Sequence, residues 1–185
     1  MNKTAIFIDA GHLHYHLYNK WKIDYKKLID YFVQKGYLPF YIFYYEGMMT
    51  QLSYFSKNPD ASINDFYEAK KAKKKYFNIL RSFEFIVHSK PVHRLFDHES
   101  GKYKFKCNFD VEITVDIMET VLTKDIDIFI ICSGDGDFTR PIKYLKSKAK
   151  KVVVAGFKEN INPKLLEIAH EILFLEVIRE KIEYK

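Results

Sequence analysis

Two apolar runs of strand length, residues 4–8 (TAIFI) and 126–132 (IDIFIIC), each lead directly into carboxylates. Asp9 follows the first run, and Asp135 and Asp137 follow the second. A run that is apolar at nearly every position is a strand covered on both faces, so helices must flank it on two sides. The rest of the chain supplies such helices. Residues 25–33 place Tyr25, Leu28, Ile29, Phe32 and Val33 at helical spacing, with Asp24 as N-cap and Gly36 as stop. Residues 40–45 (FYIFYY) and 83–88 (FEFIVH) read as strands on either side of a turn-rich stretch, 56–60, and a long Lys-rich helix, 63–82.

The second half repeats the alternation. Val111, Val115, Met118 and Leu122 mark a helix with one apolar face. After the 133–137 loop comes a helix over 138–148, with Thr139 or Asp137 as cap and Pro141 tolerated in its first turn. A strand over 151–155, a helix over 164–170 opened by Asn162-Pro163, and a last strand over 172–175 complete the pattern. Strands alternating with helices predict an α/β fold with a mostly parallel sheet and right-handed crossovers. Neither repeats nor a linker interrupt the chain, so one domain is expected over 1–185. It carries an irregular excursion at about 89–106, where residues 94–96 and 102–105 can pair across a 97–101 turn. A short charged helix closes it at about 176–185.

Composition narrows the class. Hydrophobic residues are 48% of the chain, with 7 Gly and 5 Pro, which excludes disorder and collagen-like structure. Cys107 and Cys132 form no C-x-x-C pair and point to a reducing compartment. The N-terminus has no secretory pattern and no apolar run reaches membrane-spanning length, so a cytoplasmic protein without membrane partners is expected. Lys and Arg exceed Asp and Glu by 30 to 24, a formal charge of +6, which favours polyanions only mildly.

In an open parallel sheet, ligands bind beyond the carboxyl ends of the strands at the switch point. If the runs ending at Asp9 and Cys132 are neighbours, Asp9, Asp135 and Asp137 converge there. Asp110 and Asp116, on the helix feeding the second strand, add two more. Carboxylates in contact raise one another's pKa, so a cation must offset them. Mg²⁺ or Mn²⁺ suits carboxylate and water oxygens, and such a site suits phosphodiester hydrolysis. Any one of these acids alone reads as a turn or cap residue, and Asp116 also lies in a polar stripe with Glu112, Glu119 and Thr123 that fits a solvated helix face.

Other motifs give less. His12, His14 and His16 are spaced so that only His12 and His16 share a helical face, which argues against a three-histidine zinc site and leaves His14 and His16 as surface or partial core. The 135–137 loop lacks the Gly and Glu of a calcium loop, Gly11 stands where an aspartyl phosphatase needs a second Asp, and no nucleotide-cradling loop is present. Lys70, Lys71, Lys73, Lys74 and Lys75 crowd one helix beside Tyr67, Tyr76 and Phe77, either a solvated face or a surface for a nucleic-acid backbone. Arg140 can contact a phosphate bidentately.

Phe7-Ile8-Asp9 with Gly11, Asn108-Phe109-Asp110-Val111 through Val115-Asp116, and Ser133-Gly134-Asp135-Gly136-Asp137-Phe138 together resemble the NYN domain (LabA-like) family of PIN-like metal-dependent ribonucleases. Val154-Ala155-Gly156-Phe157 and the 162–169 helix resemble that family's closing elements. The resemblance implies a PIN-like three-layer α/β/α sandwich and cleavage of RNA dependent on Mg²⁺ or Mn²⁺. By position it implies Asp9, Asp110, Asp116 and Asp135 as metal ligands and catalytic groups, with Asp137 as a further catalytic group. His12 stands where the family has Asn, and Cys107-Asn108 where it has Lys-Gly, with Lys106 adjacent. His12, Ser133, Arg140, Lys106, Lys70 and Lys74 are the expected substrate contacts, and a homodimer is left open. The alternative function is a non-catalytic RNA-binding regulatory module on the same fold. The motifs do not separate RNA from DNA, because the 2′-OH is read by local contacts.

Overall fold

The computed structural model describes residues 2–16, 21–98 and 101–184, and of Tyr15 and His16 the backbone only. Its elements in chain order begin with β1 (Lys3–Asp9), α1 (Ala10–His16), α2 (Tyr25–Gln34), β2 (Leu38–Tyr45), β3 (Met48–Met49), α3 (Gln51–Lys57) and α4 (Ile63–Ser82). Next come β4 (Phe85–His88), β5 (Pro91–Asp97), β6 (Lys102–Lys106), α5 (Asp110–Thr123), β7 (Ile128–Cys132) and α6 (Thr139–Ser147). The chain closes with β8 (Lys151–Gly156), α7 (Pro163–Ile168), β9 (Glu171–Phe174) and α8 (Arg179–Ile182).

Six strands form a parallel sheet in the order β4-β2-β1-β7-β8-β9. The chain builds outward from β1 through β2 to β4, then returns to the other side of β1 with β7. The switch point therefore lies between β1 and β7, the pair predicted to be neighbours. Ile8 pairs with Cys132, so Asp9 and Ser133 come next along the same edge.

The apolar runs are explained by two layers of cover. Along β1, Ala5 and Phe7 join one core while Ile6 and Ile8 join the other; Phe129 and Ile131 of β7 oppose Ile128 and Ile130 in the same way. One core is completed by α2, α4 and α8, the other by α5, α6 and α7. Each apolar side chain in these central strands is thus removed from water, worth about 1.5–3 kcal/mol apiece before entropy is counted. Among the described residues no helix is long and apolar enough to cross a membrane.

Local signals acted largely as expected. Asp24 accepts from the Lys27 N–H at the start of α2, and Gly36 follows that helix at φ +87°, where a Cβ would be strained. Asn162 caps α7, with Pro163 at its first position. Four expectations need correction. The turn-rich stretch begins inside an unpredicted helix, α3, capped by Thr50. The cap before α6 is neither Thr139 nor Asp137: Asp135 accepts from the Asp137 N–H and caps a 3₁₀ turn, Gly136–Phe138. The closing helix at 176–185 is only α8, preceded by a 3₁₀ turn; Lys185 lies outside the described residues.

The fourth correction concerns α5. Of Val111, Val115, Met118 and Leu122, read as its apolar face, Met118 is half-buried and the others are 73%, 55% and 65% exposed, whereas Ile113, Ile117 and Thr120 are buried. The helix is apolar on two opposite sides, and spacing cannot say which side meets the sheet. Ile113 and Ile117 do so, in the core that holds Phe7 and Phe129.

The 89–106 excursion is a regular hairpin. β5 and β6 pair antiparallel from His93↔Lys106 to Asp97↔Lys102, and β3 adds to β5 in a three-stranded sheet. Glu99 and Ser100, between the two strands, lie outside the described residues. The offset that pairs β2 with β4 (Ile42↔Phe85) continues into β3 and β5 (Met48↔Pro91), with Glu46 N–H to His88 O and Met48 N–H to Lys90 O between them. The hairpin therefore prolongs β4 past the carboxyl edge of the main sheet.

Candidate metal centre at the sheet edge

Asp9 leaves β1 at the switch point, 9% exposed. Its Oδ1 accepts from the His12 N–H (3.1 Å) as the chain turns into α1, and its Oδ2 accepts from Ser133 Oγ (3.3 Å). Ser133 is fully buried, and its hydroxyl also accepts from the Asp135 N–H (3.3 Å). Ser133, expected as a substrate contact, thus couples the end of β1 to the loop after β7.

That loop is held from outside as well. The Asn162 N–H donates to Gly134 O (2.9 Å), and a Cβ on Gly134 would lie 2.6 Å from Asn160 O. Only glycine lets the two loops approach so closely. The result aims Asp135 and Asp137 towards the start of α5, where the Asp110 N–H donates to Asn108 Oδ1 (2.7 Å). Asp110, Asp135 and Asp137 each offer an oxygen within 4.8 Å of the others.

Charge reflects this crowding. Asp110 is pushed up to about 6, first by burial and then by Asp135, Asp9 and Asp137, while Asn108 works the other way. Burial also raises Asp9, against the His12 N–H and Ser133, with Asp135 adding to the rise. Burial lowers the His12 imidazole, opposed by Asp135. Among the described residues, no lysine or arginine forms an ion pair with any of these four acids. The donor set is all carboxylate oxygen, partly exposed and unneutralised, which fits a hard divalent cation.

Asp116 stands apart from this group. It accepts from the Tyr45 hydroxyl (2.6 Å) and lies 3.6 Å from His88 Nε2, whose ring stacks on Tyr45 at 5.0 Å. The six residues from Asp110 carry its side chain round α5 towards β2 and β4, away from the Asp135 loop. Asp137, the last choice among the acids, is a full member of the group. Arg140 is exposed one turn beyond the loop, and Lys106 is exposed at the end of β6. Lys70 and Lys74 lie on α4, Lys70 with its ammonium 5.6 Å from the Phe66 ring centroid.

Sequence reasoning missed a second ionic cluster on the same edge. Glu46, one residue past β2, accepts from His14 Nδ1 (2.9 Å), Lys73 Nζ (2.5 Å) and the Tyr44 hydroxyl (2.7 Å). With Nδ1 donating, His14 Nε2 is left to accept from Tyr25 (3.0 Å), so both ring nitrogens of this partly buried side chain are satisfied. The His16 side chain lies outside the described atoms. The clue to this cluster was Glu46 directly after an aromatic strand, though its partners come from α1 and α4. A cleft of about 1170 Å³ lined by Glu46, His14, Lys73 and Trp21 opens on this side; Asp9, Asp110, Asp135 and Asp137 do not line it.

Comparison with known proteins agrees with the architecture. The family model described as NYN domain matches residues 3–176. The chain is 27% identical over 185 residues to the "Low amplitude and bright protein LabA" of Synechococcus elongatus, covering 98% of this chain and 88% of that protein. A crystal structure of a protein of unknown function, VPA0982 from Vibrio parahaemolyticus, superposes with a TM-score of 0.71 at 23% identity. That match covers 99% of this chain and 96% of the other, and it supports the shared fold.

Proposed function

The chain belongs to the NYN domain family, and from that premise we propose that it is a metal-dependent ribonuclease hydrolysing RNA phosphodiester bonds. The observation that carries this reading is the meeting of Asp110, Asp135 and Asp137 within 4.8 Å, without a lysine or arginine to neutralise them among the described residues. These three carboxylates would hold a Mg²⁺ or Mn²⁺ ion. When bound there, a divalent cation would supply a lowered pKa for water and charge to offset that developing on the phosphate. Asp9 lies beneath, adding negative charge that favours the cation, and through Ser133 it fixes the loop that presents Asp135. His12, Arg140 and Lys106 contact the flanking backbone, Arg140 with the bidentate geometry that suits phosphate. Lys70 and Lys74 on α4 add a more distant attraction. The proposed setting is the cytoplasm.

The test is cleavage of a labelled RNA by purified protein in Mn²⁺. Asp135→Asn is expected to reduce the rate by on the order of 10³-fold, a loss of about 4 kcal/mol of transition-state stabilisation. Chelation with EDTA is expected to abolish cleavage, and added Mn²⁺ to restore it. Wild-type rates in Asp135→Asn would overturn the proposal. Mn²⁺-independent RNA binding with no cleavage on single-stranded and structured RNAs would leave a binding module in its place.

A further inference from the structure

We propose that the β5–β6 hairpin is a nucleic-acid-gripping arm that delivers single-stranded rather than duplex substrate to the acidic group. The inference rests on the nuclease reading for what happens to the strand once delivered, but not for its capture.

Three observations carry it. The first is placement. The hairpin prolongs β4 beyond the carboxyl edge of the sheet, in unbroken register with β2 and β3, and β6 returns to Asp110 within four residues. Asp110 thus stands only four residues beyond the end of this arm.

The second is charge on one face. The pairing register puts Lys102, Lys104 and Lys106 on the same side of the ribbon, two residues apart, opposite Asp97, Leu95 and His93. All three lysines are exposed. Lys104 also reaches Asp97 (2.6 Å), which leaves three ammonium groups against one carboxylate. Residues alternate faces at about 6.6 Å per pair along a strand, a spacing that can follow a phosphate backbone.

The third is anchoring and aromatic display on the other face. Arg94 donates to Ser56 Oγ of α3 (2.7 Å), and Lys57 lies over the Phe105 ring at 4.6 Å, so the base of this face is docked on the body. Next to that dock, with Arg94 lying over the Tyr103 ring at 4.1 Å, Phe96 and Tyr103 pair across the strands edge to face at 5.2 Å and remain 46% and 52% exposed. A docked ribbon with cations on one face and unburied rings near its end meets both needs of single-strand binding, since bases can stack on such rings only when unpaired from a partner strand.

The test uses full-length Asp135→Asn protein, so that binding is measured without cleavage. The probe is a fluorescent uridine oligomer, compared with the same oligomer annealed to an adenosine strand, across a salt series. Lys102→Ala, Lys104→Ala and Lys106→Ala together are expected to reduce the slope of log affinity against log salt by about 2, at about 0.7 per lost phosphate contact. Arginine at the same three positions should restore it, which a merely misfolded hairpin would not allow. Tyr103→Ala is expected to weaken single-strand binding roughly 5- to 150-fold while leaving the salt slope unchanged. Unaltered affinity in the triple-alanine protein, or duplex bound as tightly as single strand, overturns the proposal. So does a change in oligomeric state with RNA affinity intact, which would make the hairpin a protein interface. If the hairpin variants fail to bind but wild type never cleaves, the arm stands and the nuclease reading falls.

Discussion

Glu46 and Asp110 are two carboxylates on one edge of one sheet, and their surroundings drive them in opposite directions. Burial alone would push Glu46 up, yet His14 and Lys73 overcome it and hold the group down at about 2. Asp110 is less enclosed but stands among acids, and it is pushed up to about 6. The difference lies in the supply of counter-charge. Around Glu46 the fold brings its own cation from α4, its own imidazole from α1 and a hydroxyl from β2. Around Asp110 the fold brings more carboxylates. One cluster is electrically closed and structural. The other is left open, and on the proposed function a divalent cation from solution would complete it.

This contrast can be broken at several points. The largest effect on stability is expected from Lys73→Met, which strips the ammonium from a buried carboxylate and costs about 3 kcal/mol in urea unfolding. A cost under about 1 kcal/mol would mean that the Glu46 cluster is not closed by Lys73. Acid should act in the same place. Glu46 sits below its ordinary value of 4.5, so its contribution is complete above that pH and is lost as pH falls from 4.5 towards about 2.

The open cluster should respond to metal. Mn²⁺ at a hundred times its Kd is expected to add about 2.7 kcal/mol, a rise in Tm of roughly 5–10 °C at pH 7.5. Asp110 sits above its ordinary 3.8, so without metal the folded protein binds more protons than the unfolded chain between those values, and its stability falls as pH rises from about 4 to 6. Protons compete with the cation in that range. The Mn²⁺ response measured by thermal unfolding should therefore weaken below pH 6 and be small at pH 5. A smaller effect of opposite sign to Lys73→Met is expected from Asp110→Asn: without metal it should stabilise the protein by up to about 1 kcal/mol after solvent screening, while abolishing the Mn²⁺ response. The smallest concerns Asp116. Asp116→Asn should cost about 1 kcal/mol through the Tyr45 hydrogen bond and change Mn²⁺ affinity less than about threefold by calorimetry. A tenfold loss of affinity would return Asp116 to the metal centre.

Much of this edge is legible residue by residue. The strands ending at Asp9 and Cys132 announce themselves because a doubly covered strand excludes polar residues. Asp9, Asp135 and Asp137 follow from those strand ends, and Asp110 from the helix that feeds the second. Asp116 lies outside the close group although it shares a helix with Asp110, because sequence distance does not say which way a turn and a half of helix points. The outward stripe of α5 misleads for a related reason: Val111, Val115 and Leu122 obey the same periodicity as Ile113 and Ile117, and the choice of face is made by fit against Phe7 and Phe129. Lys73 reads as one of several surface lysines, since its partner lies 27 residues earlier on another element.

Local sequence by itself determined the alternation of strands and helices, the caps at Asp24 and Asn162, and the presence of acids at strand ends. These depend on backbone hydrogen bonding and on which side chains tolerate water, properties that act over a few residues. Tertiary structure alone decided which acids cluster together and which are paired with an internal cation. That outcome depends on distances of a few ångströms between elements far apart in the chain, where electrostatic energy changes most steeply.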